Sequence, residues 1–398
     1  MLSREDNELL TRVGPGTPGG TLLRMYWHPI SLSREINDES PTKFVRVLGE
    51  DLVIFKDKSG RFGLIADKCA HRNASMVYGR VEERGIACVY HGWLYDCEGN
   101  ILETPPERND SIMKNVKTTA YPVHDYLGMI WAYMGPQPAP PMTHYDTLFR
   151  ADGKRKWLMH PNLNANWFQA MENSMDPAHL QVLHQEFIGK GKTPVSTTRG
   201  FTDDVESFDF YITEYGGLMK HRRYINGMED AHPVLFPNIL RQGASSQFRV
   251  PIDDTHTMHH RIFFYPTEDG SEPEDAFDPE ITFEKPIKED PTKSHPETKF
   301  ILHSVNSQDQ MAWETQGPIA NREKEHLSYS DRGVVLLRRH TKEMIERVQR
   351  GEDPIGYQRD PNHAMIDTNV DDGVWQISQD RSGLAAGNAT VDAEAAKG

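Results

Sequence analysis

Two short segments, each pairing a cysteine with a histidine, constrain this chain of 398 residues more than any other feature. Cys69 and His71 are separated by one residue, and Cys88 and His91 are separated by two. The chain contains 3 cysteines, so most of them lie in these segments. Because thiolate and imidazole groups presented by two loops can converge on one metal centre, we expect the fold to bring the segments together.

Two kinds of metal centre suit two cysteines and two histidines. One is a tetrahedral zinc ion, and the other is an iron–sulfur cluster with two cysteines on one iron and two histidines on the other. Structural zinc motifs usually begin with a pair of cysteines, whereas each segment here mixes the two ligand types, so the spacing favours iron. Cys97, the third cysteine, matches no ligand position and is expected to be a packed residue.

Charge and composition exclude several classes of function. The formal net charge is −15, which repels polyanions and makes nucleic acid an unexpected partner. The N-terminus lacks the basic flank and apolar run of a secretory signal, and 3 cysteines cannot form a disulfide framework. We therefore expect reduced thiols and a cytoplasmic location. The longest apolar run, from Tyr126 to Gly135, is too short to cross a bilayer, so no membrane span is expected.

The hydrophobic pattern divides the chain into two parts. Short β-branched and aromatic runs alternate with turns between Phe44 and Tyr133, which predicts a small all-β module. A proline-rich linker at 137–142 precedes predicted helices, hairpins that turn near 216–217 and 251–254, and a late helix that ends at Gly351. The acidic stretch 267–295 is predicted to be a long loop. The predicted domains are 1–140 and 141–380, followed by a disordered tail at 381–398.

A second group of candidate ligands follows the linker. Asn173, Asp176, His179 and His184 lie close together in the sequence, and two histidines with a carboxylate from elsewhere form the facial triad that binds non-haem iron(II). Asp176 is also a predicted N-cap for a helix that begins at Pro177. The spacing of the histidines requires a distorted or π-bulged turn to place both on one face. The alternative interpretation is that both histidines are ordinary packing residues.

The sequence around these positions resembles one protein family. The segments CAHRNASM, from Cys69, and CVYHGWLYDCEGN, from Cys88, resemble the two loops that hold the Rieske two-iron, two-sulfur cluster. The spacing Asn-x-x-Asp-x-x-His-x-x-x-x-His, from Asn173, resembles the iron motif of the Rieske non-haem iron aromatic-ring-hydroxylating oxygenases. LLTRVGPGTPGGTLLRMYWHPI and the tract from Gln308 to Arg339 resemble the phthalate dioxygenase-like branch. The resemblance extends from Leu9 to Arg339.

The resemblance implies an alpha (oxygenase) subunit of the α+β class. An N-terminal all-β Rieske domain would be followed by a helix-grip catalytic domain, which is a curved antiparallel sheet covered by helices. The implied cluster ligands are Cys69, His71, Cys88 and His91. The implied ligands of the mononuclear iron(II) are His179, His184 and Asp309, with Glu314 as the alternative third ligand.

Two further residues receive roles from the resemblance. Asn173 and Asp176 would belong to the catalytic site. Asp176 would accept hydrogen bonds from a cluster histidine of one subunit and from His179 of the next. The family assembles as a trimer, sometimes stacked as a hexamer.

The implied reaction takes electrons from NAD(P)H through a separate flavin and iron–sulfur reductase and uses O2 to hydroxylate or dihydroxylate an aromatic substrate. One alternative is O- or N-dealkylation of an aryl ether or amine. A more distant alternative is an electron-transfer protein without oxygenase chemistry. The resembling branch favours aromatic acids, for which a buried arginine is the natural clamp. The candidate clamps are Arg199, Arg241 and Arg249, each of which could instead pair with an acid at the surface. Arg338 and Arg339, on the late helix, are expected to be solvated.

Overall fold

The computed structural model describes residues 1–184, 205–213, 215–225, 229–284, 287–289, 300–302 and 304–369. The chain divides into two compact units. The first unit comprises Val13–Pro140 with Val250–Asp253, and the second comprises Met1–Arg12, Pro141–Arg249 and the residues from Asp254 onward. The structure thus groups the first twelve residues with the second unit, whereas the sequence-based division placed them in the first domain. The predicted tail at 381–398 lies outside the described residues.

The elements within the described residues are as follows. The helices are α1 (Arg4–Thr11), α2 (Pro18–Arg24), α3 (Ser111–Asn115), α4 (Asp146–Phe149), α5 (Trp167–Ser174), α6 (His179–Val182), α7 (Val305–Thr315) and α8 (Arg332–Gln349). The strands of the first part of the chain are β1 (Trp27–Leu32), β2 (Thr42–Val47), β3 (Glu50–Lys56), β4 (Phe62–Ala66), β5 (Arg80–Glu82), β6 (Gly85–Ala87), β7 (Leu94–Tyr95), β8 (Ile101–Glu103), β9 (Ala120–Tyr121), β10 (Val123–Tyr126) and β11 (Met129–Tyr133). The later strands are β12 (Gly153–Leu163), β13 (Val205–Ile212), β14 (Leu218–Tyr224), β15 (Glu229–Leu235), β16 (Ile239–Gln242), β17 (Ser245–Pro251), β18 (Thr257–Pro266), β19 (Glu280–Phe283), β20 (Lys288–Glu289) and β21 (Phe300–Ile301). Among the helices described, none is both long and apolar enough to cross a bilayer.

Short antiparallel strands build the first unit. They form three sheets with the strand orders β1-β11-β10, β2-β3-β4-β9 and β5-β6-β7-β8. In β2, Val45 and Val47 are buried while Phe44 is exposed, as alternation on a half-buried strand requires. The turn to β3 has positive φ at Leu48 (49°) and Gly49 (75°), which suits a tight hairpin turn.

The core of the first unit contains the cysteines. Cys69 and Cys88 are each 2% exposed and pack in one cluster with aromatic and aliphatic side chains. The other members of this cluster are Val53, Phe55, Ile65, Met76, Val81, Ile86, Trp93, Tyr95, Cys97 and Ile101. The two cysteine-containing segments are therefore anchored in the packed interior, which fixes their relative positions.

One large sheet organises the second unit. Its strand order is β13-β14-β15-β16-β17-β18-β12-β19, and the pairs with a described register are antiparallel except that β19 runs parallel to β12. The prediction of a long loop over 267–295 was wrong at 280–283 and at 288–289, where β19 and β20 form. Strand β19 has 4 residues, and all of them pair with the neighbouring β12.

A buried ion-pair network joins α5 to α8. Glu172 on α5 contacts Arg322 (Nη2 to Oε2, 2.6 Å) and Arg338 (Nη2 to Oε1, 2.6 Å), and Arg338 also pairs with Glu325. The expectation that Arg338 is solvated was wrong, since it is only 7% exposed, whereas Arg339 is exposed. The error arose because the compensating carboxylate lies far away in the sequence. The network holds α5, which precedes the candidate iron ligands.

Replacing Arg338 by methionine should destabilise the second unit by about 3 kcal/mol, near the lower end of the range for breaking a buried ion pair, because Glu172 would keep Arg322. Arg339→Met is the matched control and should change stability by less than about 0.5 kcal/mol. Denaturant unfolding of the two variants measures the difference. Equal stabilities would show that the buried network contributes nothing to the fold.

Candidate metal centres and cavity

The two cysteine-containing loops share one backbone pattern. The amide of Cys69 donates to the carbonyl of Ala74, and the amide of Asn73 donates to the carbonyl of Cys69, both at 2.9 Å. The second loop repeats this pattern, with Cys88 bonded to the carbonyl of Trp93 at 2.9 Å and the amide four residues on from the cysteine bonded back at 2.8 Å. The fourth residue after each cysteine has positive φ, 59° at Asn73 and 75° at Gly92. The loops are thus two copies of one tight turn, each beginning at a buried thiol.

The side chains of the two loops meet. The rings of His71 and His91 lie 4.4 Å apart between centroids, and His71 stacks on Trp93 at 4.6 Å. His71 Nδ1 is buried and has no hydrogen-bond partner among the described residues, as is expected of a nitrogen that would bind a metal. Burial raises the pKa of the Cys88 thiol, and the neighbouring Cys69 raises it further. Metal binding would replace these protons, so the donor set fits a two-cysteine, two-histidine iron–sulfur cluster.

Two supporting aromatic residues were not identified from the sequence. The hydroxyl of Tyr95 lies 3.1 Å from Cys69 Sγ and accepts a hydrogen bond from the amide of Ala70 at 3.1 Å. Toward a metal-bound thiolate, which carries no proton, the hydroxyl would be the donor. Hydrogen bonds to cluster sulfurs are one means by which a protein sets the reduction potential. Trp93 and Tyr95 alternate along one extended segment after His91, which was the available signal.

Cys88→Ser and His91→Cys should each abolish the absorption and paramagnetic resonance spectra of a Rieske cluster, because each removes one of the four proposed ligands. Cys97→Ser is the matched control. Cys97 is buried, contacts Asp57 Oδ2 at 3.7 Å, and has its pKa raised to about 12 by burial, so it should not serve as a ligand. A Rieske spectrum that survives in Cys88→Ser, or is lost in Cys97→Ser, would contradict this ligand assignment.

The candidate iron-binding histidines lie at the two ends of one short helix rather than within a long bulged one. Helix α5 ends at Ser174, and α6 runs only from His179 to Val182. Asp176 does not cap α6 as predicted. Its Oδ1 instead accepts a hydrogen bond from the amide of Ala178 at 2.8 Å, in the turn between the helices. His179 begins α6 and His184 lies just beyond its end, so the end of this short helix stands between the two histidines, in place of the expected bulged turn.

His179, His184 and Asp309 come together as a potential metal site. Their ligand atoms all lie within 4.8 Å of one another. Asp309 Oδ1 is 3.2 Å from His184 Nε2 and 3.6 Å from His179 Nε2, and it accepts a long hydrogen bond of 3.4 Å from Asn173 Nδ2. Two imidazole nitrogens and one carboxylate facing a common point are the donor set of a facial-triad iron(II) site.

Electrostatics at this site favour a cation. Burial opposes the charged forms of His184 and Asp309, but their attraction outweighs it, so the pKa of His184 is raised and that of Asp309 is lowered. Burial likewise opposes ionisation of Asp176, yet hydrogen bonding and attraction to His179 lower its pKa. The site therefore holds carboxylates near neutral pH, and a divalent metal would take the place of the shared proton.

The remaining candidate residues lie as follows. Glu314, the alternative third ligand, accepts hydrogen bonds from the amide of Asn164 (3.2 Å) and from Gln310 Nε2 (3.1 Å), and it is not part of the triad. Gln308, which sequence reasoning missed, places Oε1 2.9 Å from His184 Nδ1. Its position next to Asp309 was the only available signal. Arg199 lies outside the described residues.

Asp309→Asn should remove most non-cluster iron and abolish product formation while leaving the cluster spectrum intact, because it takes the only anionic ligand from the proposed triad. Glu314→Gln should retain the iron. Iron content per cluster, measured after dialysis against a weak chelator, distinguishes the two variants. Retention of iron in Asp309→Asn together with its loss in Glu314→Gln would reassign the third ligand.

A pocket opens onto the triad. Its described lining residues are Asn173, His179, Leu180, His184, Lys220, Leu240, Gln242, Gln247, Arg249, Arg261, Val305, Asn306 and Asp309. Lys220, Arg249 and Arg261 are all buried, so three cationic side chains face one carboxylate across this space. Arg241 is not among the lining residues.

Family models match both ends of the chain. Residues 26–122 match a model described as the Rieske [2Fe-2S] domain, and residues 299–393 match one described as LigXa C-terminal domain like. The first of these ranges contains both cysteine-containing loops, and the second begins shortly before α7, which carries Asp309.

Two curated proteins are similar over nearly the whole chain. The oxygenase subunit of 5,5'-dehydrodivanillate O-demethylase from Sphingobium sp. (strain NBRC 103272 / SYK-6) is 37% identical over 374 residues, which cover 91% of this chain and 84% of that protein. The oxygenase subunit of phthalate 4,5-dioxygenase from Pseudomonas putida is 31% identical over 393 residues, covering 89% of each.

A solved structure has the same fold. The terminal oxygenase of carbazole 1,9a-dioxygenase from Nocardioides aromaticivorans IC177 superposes with a TM-score of 0.59 and 17% identity, over 85% of this chain and 96% of that chain. The predicted fold class is thereby confirmed, with an all-β Rieske domain followed by a catalytic domain built on a largely antiparallel sheet.

Proposed function

The chain belongs to the Rieske oxygenases as an oxygenase (alpha) subunit, and we propose that its substrate is an aromatic carboxylate whose anionic group binds Arg249. Enzymes of this family carry a Rieske cluster and a mononuclear iron, which together supply the electrons and the O2 activation. The reductant is NAD(P)H, acting through a separate reductase. Since NAD(P)H is an intracellular reductant, we place the protein in the cytoplasm, which cell fractionation would test.

The observation that carries the substrate proposal is the state of Arg249. This residue is 1% exposed, and its guanidinium donates to the backbone carbonyl of Gln247 (3.3 Å) and to Gln247 Oε1 (3.1 Å). Its Nε is buried without a hydrogen-bond partner, and no carboxylate within the described part of the chain forms an ion pair with it. Burying a charge without a counter-charge is costly, so a ligand that supplies the counter-charge is favoured.

Arg241 provides the contrast. Its Nη2 lies 3.1 Å from Asp146 Oδ2, and its Nε donates to Thr368 Oγ1 at 3.1 Å, so its charge is compensated within the fold. Burial lowers the pKa of Arg249 to about 9, with Asp309 acting in the opposite direction, and the guanidinium therefore stays charged at neutral pH. Of the two described candidate clamps, Arg249 is the one able to bind a substrate carboxylate.

Different residues around the cavity would bind the substrate, orient a metal ligand and contact the aromatic ring. Arg249 would bind and orient the carboxylate, while Gln247 holds the guanidinium in place without neutralising it. Asn173 donates a hydrogen bond to Asp309 and helps to orient that ligand. Leu240 and Val305 contribute apolar surface against which an aromatic ring can pack.

Arg249→Met should raise the KM for an aromatic acid about 100-fold, since hydrogen bonds to charged groups contribute about 1.5–3 kcal/mol each. The KM for the corresponding carboxamide should change little, so the preference for the acid disappears. Arg223→Met is the matched control, because Arg223 lies on β14, is exposed, and pairs with Glu229 at 2.7 Å. An undiminished preference for the acid in Arg249→Met would exclude Arg249 as the clamp.

O-demethylation of a methoxylated aromatic acid is a second candidate, favoured by the 37% identity to an O-demethylase oxygenase subunit. Both reactions consume one O2, two electrons and two protons. Dihydroxylation places both oxygen atoms in a cis-diol, whereas demethylation yields a phenol, formaldehyde and water. Formaldehyde released per O2 consumed, measured on matched methoxylated and unsubstituted acids with a surrogate reductase, decides between them.

We further propose that Asp176 links metal centres of adjacent subunits in a trimer. Its Oδ2 lies 3.5 Å from His179 Nδ1, and its side chain is 27% exposed, so the carboxylate can accept a second donor from outside the subunit. A cluster histidine of a neighbouring subunit, His71 or His91, would be that donor. Such a carboxylate orients the imidazoles at both metals and gives a short polar route between them.

Asp176→Asn should keep both metals and the trimer but slow reoxidation of the reduced cluster by at least about 10-fold, in line with the effect of losing a group that orients metal ligands. Asparagine keeps the oxygen that accepts from the amide of Ala178, so the local turn should survive. Stopped-flow reoxidation with substrate and O2 present measures the step, and gel filtration checks the assembly. Reoxidation at the wild-type rate would limit Asp176 to its role in the turn.

A further inference from the structure

The two histidines of the proposed iron site are supported by different groups. His179 Nδ1 lies 3.5 Å from the carboxylate of Asp176, whereas His184 Nδ1 lies 2.9 Å from the amide oxygen of Gln308. Both Nε2 atoms face Asp309. Nδ1 of His179 therefore faces a charged acceptor, and Nδ1 of His184 faces a neutral one.

The position of the proton on the imidazole ring makes the contact between His184 and Gln308 important for metal binding. A neutral imidazole has one N–H and one lone pair, and metal binding through Nε2 requires the proton to stand on Nδ1. Nδ1 then needs an acceptor. His184 is 0% exposed, so bulk water cannot provide one, and Gln308 Oε1 is the group in position.

Helix α7 holds Gln308 firmly at this point. Ser304 caps the helix by accepting from the amide of Ser307 at 3.0 Å, and Ser307 Oγ accepts from the amide of Ser304 at 2.8 Å. Gln308 itself is buried and precedes Asp309. A single turn of helix thus presents both the carboxylate of the triad and the acceptor for one of its histidines.

We propose that Gln308 is a positioning residue that fixes the tautomer and ring orientation of His184, so that its Nε2 lone pair faces the metal. This inference rests on the proposed iron site. Loss of the acceptor leaves the Nδ1 proton buried and unpaired, which favours the tautomer that cannot bind through Nε2. Groups that support metal-bound histidines in this way typically contribute about 10–100-fold to metal affinity.

Two substitutions at Gln308 distinguish the effect of the hydrogen-bond acceptor from the effect of the size of the side chain. Gln308→Leu removes the acceptor and should weaken binding of a divalent metal about 10–100-fold. Gln308→Glu keeps an oxygen at the same position and should bind at least as tightly as the wild type. Gln310→Leu is the matched control, since Gln310 is a buried amide on the same helix that hydrogen-bonds to Glu314 rather than to His179 or His184.

The measurement is a titration with Co²⁺ of the full chain, with its cluster intact and its non-cluster iron removed by a chelator. Competition with a chelating dye gives the affinity, and thermal unfolding of the metal-free proteins checks that stability is unchanged. The expected order is Gln308→Glu at or above wild type, Gln310→Leu equal to wild type, and Gln308→Leu weaker.

Each departure from this order has a defined meaning. Wild-type affinity in Gln308→Leu, or an equal loss in Gln310→Leu, overturns the inference and leaves the triad in place. Absence of a Co²⁺ site in the wild type overturns the triad itself and the inference with it. Should Gln308→Leu fail to fold, weakened binding in Gln308→Glu would still overturn the role of the acceptor.

Discussion

The cost of burying a charge without a counter-charge governs much of the second unit. Glu172 is held between Arg322 and Arg338, and Asp146 is held by Arg241, so these charges are compensated by the fold. Each such pair costs desolvation and is retained only with good geometry, which is why residues in pairs of this kind are fixed parts of the structure. Arg249 departs from this rule. The same physical cost that makes the other arginines structural supports the proposal that this one binds a ligand.

A related constraint applies at the candidate iron site, where it concerns the protons of the histidine rings rather than charged side chains. A histidine that gives one nitrogen to a metal must place its proton on the other nitrogen, and a buried proton needs an acceptor. Asp176 stands opposite Nδ1 of His179, and Gln308 stands opposite Nδ1 of His184. Neither acceptor lies on the same helix as its histidine. The metal site is thus built from α6, the turn before it and α7 together.

The first unit positions its two cysteine-containing loops by using the same backbone conformation twice. The same pair of backbone hydrogen bonds recurs in both cysteine-containing loops, with a residue of positive φ at the same distance from each cysteine. Glycine adopts this conformation at no steric cost, and asparagine tolerates it better than most residues. Because both thiols are anchored in the packed core, the histidines that follow them are carried to one place at the rim.

The sequence by itself determined the features that depend on local spacing. The cysteine and histidine spacing in two loops and the cluster of Asn173, Asp176 and two histidines could be read directly, and the family that they resemble implied the fold class that was confirmed. Asp309 was also within reach, through resemblance to a family. These features can be recognised in the sequence because turn conformation and ligand spacing are properties of short segments.

Tertiary structure alone decided which charged and polar groups are partners. The burial of Arg338, the compensation of Arg241 by Asp146 and the contact of Gln308 with His184 join residues more than ninety positions apart in the chain. Strand β19 likewise pairs along its whole length with β12, which lies far away in the sequence. Sequence periodicity shows which face of an element is apolar, but the partner of a buried charge is set by how distant elements pack. That packing pairs Arg241 with Asp146, and it is the basis for proposing Arg249 as the group that binds a ligand.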